Sequence, residues 1–202
     1  MSLRDVLIDE LRDLYSAENQ LVKALPKIAK AASNPELKTI VTEHLQETKG
    51  QVERLKQVFE KLGKKATGQH CSAMEGLVEE GKEAIEKDEQ GATKDVCLIG
   101  AALRVEHYEI AGYTAAIGIA KALGENEAAT LLTQSLNEEV AAGKKVLAQS
   151  KPTMKESAAQ GGKGGNADKK PKSAKEKESD RKSKADEAGA QSGMSNGKKS
   201  TM

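Results

Sequence analysis

Apolar residues return every three or four positions along the first 150 residues, and that spacing predicts helices throughout. Leu7, Leu11, Leu14, Leu21, Leu25 and Ile28 mark one face of a first helix, from about Leu3 to Ala32. Val41, Leu45, Val52, Leu55 and Phe59 mark a second, ending near Leu62. A shorter helix is expected around Ala73–Lys87. Ile99, Leu103, Ile110, Tyr113 and Ile117 align along a fourth, over about Lys94–Leu123. Leu132, Leu136, Val140 and Val146 carry a fifth, ending near Gln149.

The chain's punctuation agrees with these spans. Ser2 followed by Asp5 resembles a capping box with a shortened acid. Asn34-Pro35 suits an N-cap and a first helical position. Gly63 and Gly124 are placed to end the second and fourth helices, and Asn126 to cap the fifth. Pro26 removes one backbone bond inside the first helix and is expected to kink it. Two long hairpins joined through a short helix predict an all-α fold: a four-helix bundle with an additional short helix.

Composition narrows the picture. Aromatic residues are only 2% of the chain, which excludes a fold built from sheets. No apolar run is long enough to cross a membrane, and acids occupy the N-terminal stretch where a signal peptide needs an apolar segment. A cytoplasmic protein is therefore expected. Cys71 and Cys97 are too few for a disulfide framework, and no Cys-x-x-Cys spacing marks a rubredoxin-like site.

Charge divides the chain in two. After Ser150 there is no Val, Ile, Leu, Cys or aromatic residue. Residues 151–202 have almost nothing to bury and are expected to form a disordered tail behind a helical domain of residues 1–150. The tail carries 13 Lys and Arg against 7 Asp and Glu, so its excess is +6 and that of the domain is −5. Weak, salt-sensitive contact with a polyanion fits such a tail, but interleaved acids and missing aromatics argue against specific nucleic-acid recognition.

The candidate chemistry lies in acids that interrupt the apolar registers. Glu18 falls between Leu14 and Leu21, Glu106 between Leu103 and Ile110, and Glu139 between Leu136 and Val146. Glu47 flanks the second helix's stripe, on a face with Ile40, His44 and Gln51, and Glu109 lies one turn from Glu106. Counting outward from the hairpin turns leaves Glu18 and Glu47 about two residues out of step, or ~3 Å along the axis, and Glu109 and Glu139 about one residue. Glu18, Glu47, Glu109 and Glu139 can thus share one level, with Glu106 just beyond. A buried carboxylate must be paired, protonated or bound to a metal. Arg104 and Lys144 belong to outer faces, so two divalent cations bridged by carboxylates resolve the repulsion best. Glu138 replaces Glu139 if the register slips by one.

The segments LYSAENQL, ALPKIA, HLQETKGQVERL, CSAMEGLVEEG, VEHYEIAGY and LNEEV, in this order, resemble the YciF/YciE-type branch of the ferritin-like superfamily. That family is similar in fold to rubrerythrins and manganese catalases. The resemblance covers nearly all of residues 3–150 and implies a homodimer of helical bundles, a di-iron or di-manganese centre and a stress-associated role. Carried over by position, it implies metal ligands at Glu18, Glu47, Glu106, Glu109 and Glu139.

One departure from the family pattern is visible. Gly50 and Ala142 stand where ferritin-like and rubrerythrin-like sites usually place histidines. His44, three residues before Glu47, is the substitute, as a ligand or as a hydrogen-bonded core histidine. His107 points away from Glu106, and His70 is expected in solvent. Tyr15, one turn before Glu18, is either a hydrogen-bonding neighbour or core filling. Small Gly50, Ala142 and Gly143 are expected to leave open coordination space. The function classes that follow are a peroxide- or dioxygen-directed oxidoreductase, a cation-sequestering protein, and a helical scaffold with a decayed site.

Overall fold

The structure, a computed structural model, describes residues 1–161. Five helices follow in order: α1 Leu3–Ala31, α2 Pro35–Lys61, α3 Ser72–Glu86, α4 Gly91–Ala122 and α5 Asn126–Gly161. Among the described residues there is no strand, and no helix is long and apolar enough to cross a membrane.

Local chemistry sets most of the ends. Ser2 and Asp5 form the reciprocal capping box, and Asn34 accepts from the Glu36 and Leu37 amides ahead of α2. Gly63 and Gly124 adopt positive φ of 67° and 74°, conformations that end a helix at little cost only for glycine. Cys71 caps α3 by accepting from the Met74 amide. Pro26 sits on an exposed face, and α1 continues through it as one helix.

The long helices form a ring in the order α1, α2, α5, α4, with each packed against its neighbours. Buried Asp95 near the start of α4 accepts from the Ser33 and Asn34 amides at the end of α1, while Arg4 meets Glu125 beyond the end of α4. So α1 and α4 are antiparallel. Lys145 to Glu43 and Lys61 to Glu127 make α2 and α5 antiparallel in the same way. It follows that α2 and α4 run parallel, so the chain must return along the whole bundle between them. It does so through α3, which lies on α1 and α4: the Gln69 amide bonds Arg12, Cys71 bonds Ser16, a Cβ on Gly81 would meet Ile28, and Lys94 reaches the Ile85 carbonyl. Gly112 lets α1 approach α4, because a Cβ there would lie 2.9 Å from the Leu14 side chain.

The fifth helix corrects one expectation. It does not stop near Gln149 but continues through Pro152 to Gly161. The added turns carry no Val, Ile or Leu for a periodic signal, yet Ser150 and Thr153 are buried and Ser157 pairs with Thr93 of α4 at 2.8 Å. Lys, Glu, Gln and Ala are also good helix formers. The rest of the expected tail, residues 162–202, lies outside the described residues.

Two apolar clusters fill the bundle. One contains Leu7, Leu11, Leu14, Leu55, Phe59, Tyr113 and Leu132. The other contains Leu21, Leu25, Ile28, Leu37, Val41, Val105 and Val146, together with Met74 and Ala84 of α3. A layer of buried polar side chains separates them.

Candidate metal centre

Each long helix sends side chains into that layer. Glu18 comes from α1, His44, Thr48 and Gln51 from α2, Glu106 and Glu109 from α4, and Ser135 and Glu139 from α5. Glu18, Gln51 and Glu139 have no exposed surface, and Glu106 and Glu109 almost none. The registers explain this: Glu18 falls between buried Leu14 and Leu21, and Glu106 and Glu139 interrupt stripes of buried and partly buried apolar residues on α4 and α5.

His44, Glu106, Glu109 and Glu139 form the tight group, each offering a ligand atom within 4.8 Å of all the others. The His44 Nε2 is 3.4 Å from Glu106 and 3.9 Å from Glu139, and its Nδ1 is 3.6 Å from Glu47. Glu18 flanks the group, with Tyr113 donating to its Oε1 at 2.5 Å. Glu47 stands at the rim, half-buried, between His44 and Lys145.

Electrostatics separate the acids. Burial pushes the Glu18 and Glu109 carboxyls well above the ordinary range, and the nearby Glu139 adds to the effect. Burial also raises Glu106, to about 8, against the pull of His44. Burial alone would depress His44, but Glu47, Glu106, Glu139 and Glu18 outweigh it and hold the imidazole up at about 9. Glu139 is raised by burial but eased by His44, Glu106, Gln51 and Glu109. Its neighbours therefore favour keeping the negative charge on Glu139.

Several atoms remain without a hydrogen-bond partner although wholly buried. Within this layer they are Glu18 Oε2, both His44 nitrogens, Gln51 Oε1, Glu106 Oε2, Glu109 Oε2 and Glu139 Oε2. Buried polar atoms in folded proteins are normally paired. Convergence of so many on one level fits a bound cation, and a set rich in carboxylate oxygens suits hard or borderline ions. The cluster can therefore hold metal.

Other expectations resolve around this group. Glu138 is not the inward acid: it turns outward to Arg54, while Glu139 fills the core. Tyr15 packs edge-on against Phe59, and Tyr113 is the tyrosine that reaches Glu18. His107 is exposed and bonds the Leu103 carbonyl, and His70 is exposed beside Glu75. Gly50 faces solvent and leaves no room at the centre. Gly143 is buried, but a Cβ there would rest 3.6 Å from the Glu106 stem, so that space is already in contact. The cavity that touches the group is small, about 20 Å³, and apolar. His44 and Glu106 line it with Leu21, Leu25, Val105 and Val146 among others. Sequence reasoning missed Gln51 and Tyr113 as members of the site. A polar residue one turn from Glu47 on the His44 face was the available signal for Gln51. Tyr113 gave none, because its position reads as ordinary core.

Comparison with known proteins agrees with this architecture. Protein YciF of Escherichia coli (strain K12) is 48% identical over 141 residues, spanning 69% of this chain and 85% of that protein. The crystal structure of the E. coli stress protein YciF superposes with a TM-score of 0.74 at 44% identity, covering 76% of this chain and 98% of that one. YcfI from Rhodopseudomonas palustris gives a TM-score of 0.70 at 44% identity, covering 72% and 93%. A protein from Xanthomonas campestris pv. campestris shares the fold at 22% identity and a TM-score of 0.62, over 79% of this chain and 98% of that one. With residues 2–159 matching its model, the chain belongs to the family described as a domain of unknown function, DUF892.

Proposed function

We propose that this protein holds a carboxylate-bridged pair of divalent cations, iron or manganese, between the two apolar clusters. The observation that carries the reading is the set of buried, unpartnered carboxylate and imidazole atoms at one level of the bundle. Glu106, Glu109, Glu139 and His44 are the central ligands, with Glu18 and Glu47 reaching in from α1 and α2. When bound, such ions would supply the redox chemistry of peroxide disproportionation, in which peroxide is both oxidant and reductant and no outside electron donor is needed. The chain's own residues exclude bulk water, and His44 would offer an unprotonated Nε2 to the cation while its Nδ1 faces Glu47.

A second reading, cation sequestration without turnover, draws on the narrowness of the adjoining cavity. A scaffold role is the third. A stress-associated role rests on the relative named as a stress protein. The homodimer would cover the α5 face that exposes Leu147 and Met154, seven residues apart and so on one side of the helix. The basic excess beyond Ser150 supports loose contact with polyanions.

The test is elemental analysis of protein purified without a metal-chelating tag and supplied with iron or manganese. About two equivalents per chain are expected, as in two-metal sites, with a marked rise in melting temperature. Glu106→Gln is expected to lose most of both, together with any slow peroxide consumption. No metal-dependent stabilisation in the parent would reject the metal reading. Metal uptake with peroxide decay no faster than free metal would select sequestration.

A further inference from the structure

Gln51 is the one uncharged hydrogen-bond donor that α2 brings to the acids of α5. Its side chain is wholly buried. Its Nε2 donates to Glu139 Oε1 and, at 3.1 Å, to Glu138 Oε2. Both neighbours are carboxylates, which accept but do not donate when ionised. Only the amide NH₂ can satisfy them, one N–H each, so the amide cannot flip without setting its oxygen against two acceptors.

The outer carboxylate is itself fixed. Arg54, three residues along α2 from Gln51, grips Glu138 through two nitrogens, at 2.8 and 2.9 Å, and one of them also meets Ser135 Oγ at 2.7 Å. Paired contacts of this kind set direction as well as attraction. A continuous polar chain thus runs inward from a half-buried ion pair: Arg54, Glu138, Gln51, Glu139.

What this does to Glu139 is specific. One oxygen is occupied by Gln51, and the other, Oε2, is buried and unpartnered within the group formed by His44, Glu106 and Glu109. On the opposite side of the layer Tyr113 treats Glu18 alike, occupying Oε1 and leaving Oε2 free. The two arrangements mirror each other, α2 onto α5 and α4 onto α1. Gln51 differs in being anchored from outside, by a pair more exposed than His44, Glu106, Glu109 or Glu139.

We infer that Gln51 is a positioning residue for the metal centre: held by the Arg54–Glu138 pair, it selects which oxygen of Glu139 faces the cation. This rests on the metal reading proposed above. Groups that orient metal ligands from behind are commonly worth 10- to 100-fold in affinity. An amide is suited to the task because it binds the carboxylate without ever exchanging a proton with it.

The experiment uses the full chain and Mn(II) alone, with affinity measured by chelator competition and the bound ion followed by electron paramagnetic resonance. Gln51→Leu, which keeps volume and removes the donor, is expected to weaken Mn(II) binding about 10- to 100-fold and to alter the spectrum of the bound ion. Its metal-free melting temperature should fall, because Glu139 loses its buried donor, so affinity and spectrum are read well below that melting point, where the variant is folded and the loss belongs to the centre. Arg54→Ala, at the half-exposed end of the chain, should shift affinity in the same direction by less, and Arg54→Lys should recover part of it. If Gln51→Leu does not fold, the Arg54 pair of variants decides, with unchanged affinity and spectrum in Arg54→Ala rejecting the inference. Parent-like affinity and spectrum in Gln51→Leu would overturn it while leaving the metal reading intact. A parent that takes up no Mn(II) would overturn the metal reading, and this inference with it.

Discussion

Leu14 and Glu18 stand one turn apart on the same face of α1, and both are buried. Leu14 belongs to a cluster with Leu11, Leu55, Phe59 and Leu132, closed by apolar contact. Around Glu18 stand Tyr113 and the acids of α4 and α5. The first layer gains stability from burial, at roughly 25 cal/mol per Å² of apolar surface. The second spends it, because carboxylates leave water without enough partners. Equal burial thus has opposite energetic sign within 6 Å or so of helix axis, about one turn. The difference separates what the bundle uses to fold from what the proposed metal centre would use.

Truncation in each layer is the strongest way to break that contrast. Phe59→Ala is expected to cost about 3–5 kcal/mol, measured by denaturant or thermal unfolding, while leaving the increment from added manganese intact. Glu109→Leu should behave in reverse. The metal-free protein should become more stable, by roughly 1–4 kcal/mol, since buried ionisable groups often give way to apolar ones with a gain. The metal increment, about 2.7 kcal/mol at a hundredfold excess over Kd, should disappear. A fall in metal-free stability for Glu109→Leu would erase the distinction between the layers.

A pH series sharpens it. Burial raises Glu18, Glu106 and Glu109, and the surrounding acids raise His44. Each binds its proton more tightly when folded. Each contribution is full below the unfolded value, 4.5 for Glu106 and 6.5 for His44, and lost as pH rises through the folded value, about 8 and about 9. Glu139 is raised as well, so it runs with them, whereas Glu47, held down by His44, acts oppositely at lower pH. Metal-free protein should therefore lose stability from about pH 4.5 to about pH 9. Cations need deprotonated ligands, so the manganese increment should grow over the same range. Melting curves with chelator and with manganese at several pH values check both slopes, and parallel curves would contradict them.

The smallest effect concerns the end of α5. Ending the chain after Ser150 removes buried Thr153 and the Ser157–Thr93 hydrogen bond, for a loss of roughly 1 kcal/mol or somewhat more. Ending it after Gly161 should leave the melting temperature as it was. Differential scanning calorimetry on the two truncations distinguishes them, and equal melting would show that the added turns contribute nothing.

Legibility followed how locally each feature is encoded. The capping box at Ser2, the Asn34-Pro35 restart and the glycines at 63 and 124 are written in adjacent residues, and all stand where their chemistry puts them. Glu18, Glu106 and Glu139 were visible because an acid in an apolar register is conspicuous. Glu47 was harder, since α2 has a polar flank beside its stripe and a small rotation moves a side chain from core to rim. Gln51 and Tyr113 act through partners on other helices, which no single-helix pattern contains. The last turns of α5 were hidden because hydroxyl groups, not aliphatic side chains, do the burying there.

The return path through α3 has a further consequence. It divides the bundle into an α1–α2 hairpin, which brings Glu18, His44, Glu47 and Gln51, and an α4–α5 hairpin, which brings Glu106, Glu109 and Glu139. Neither hairpin contains the whole donor set. A cation gripped by both is then a clasp between two halves of one chain, and grip and docking are linked reciprocally: whatever pries the hairpins apart loosens the ion, and the ion resists the prying to the same degree. Cleaved between α2 and α3, such a chain would become two complementary fragments, already matched by the shared apolar clusters and held more tightly as the metal supply around them rises.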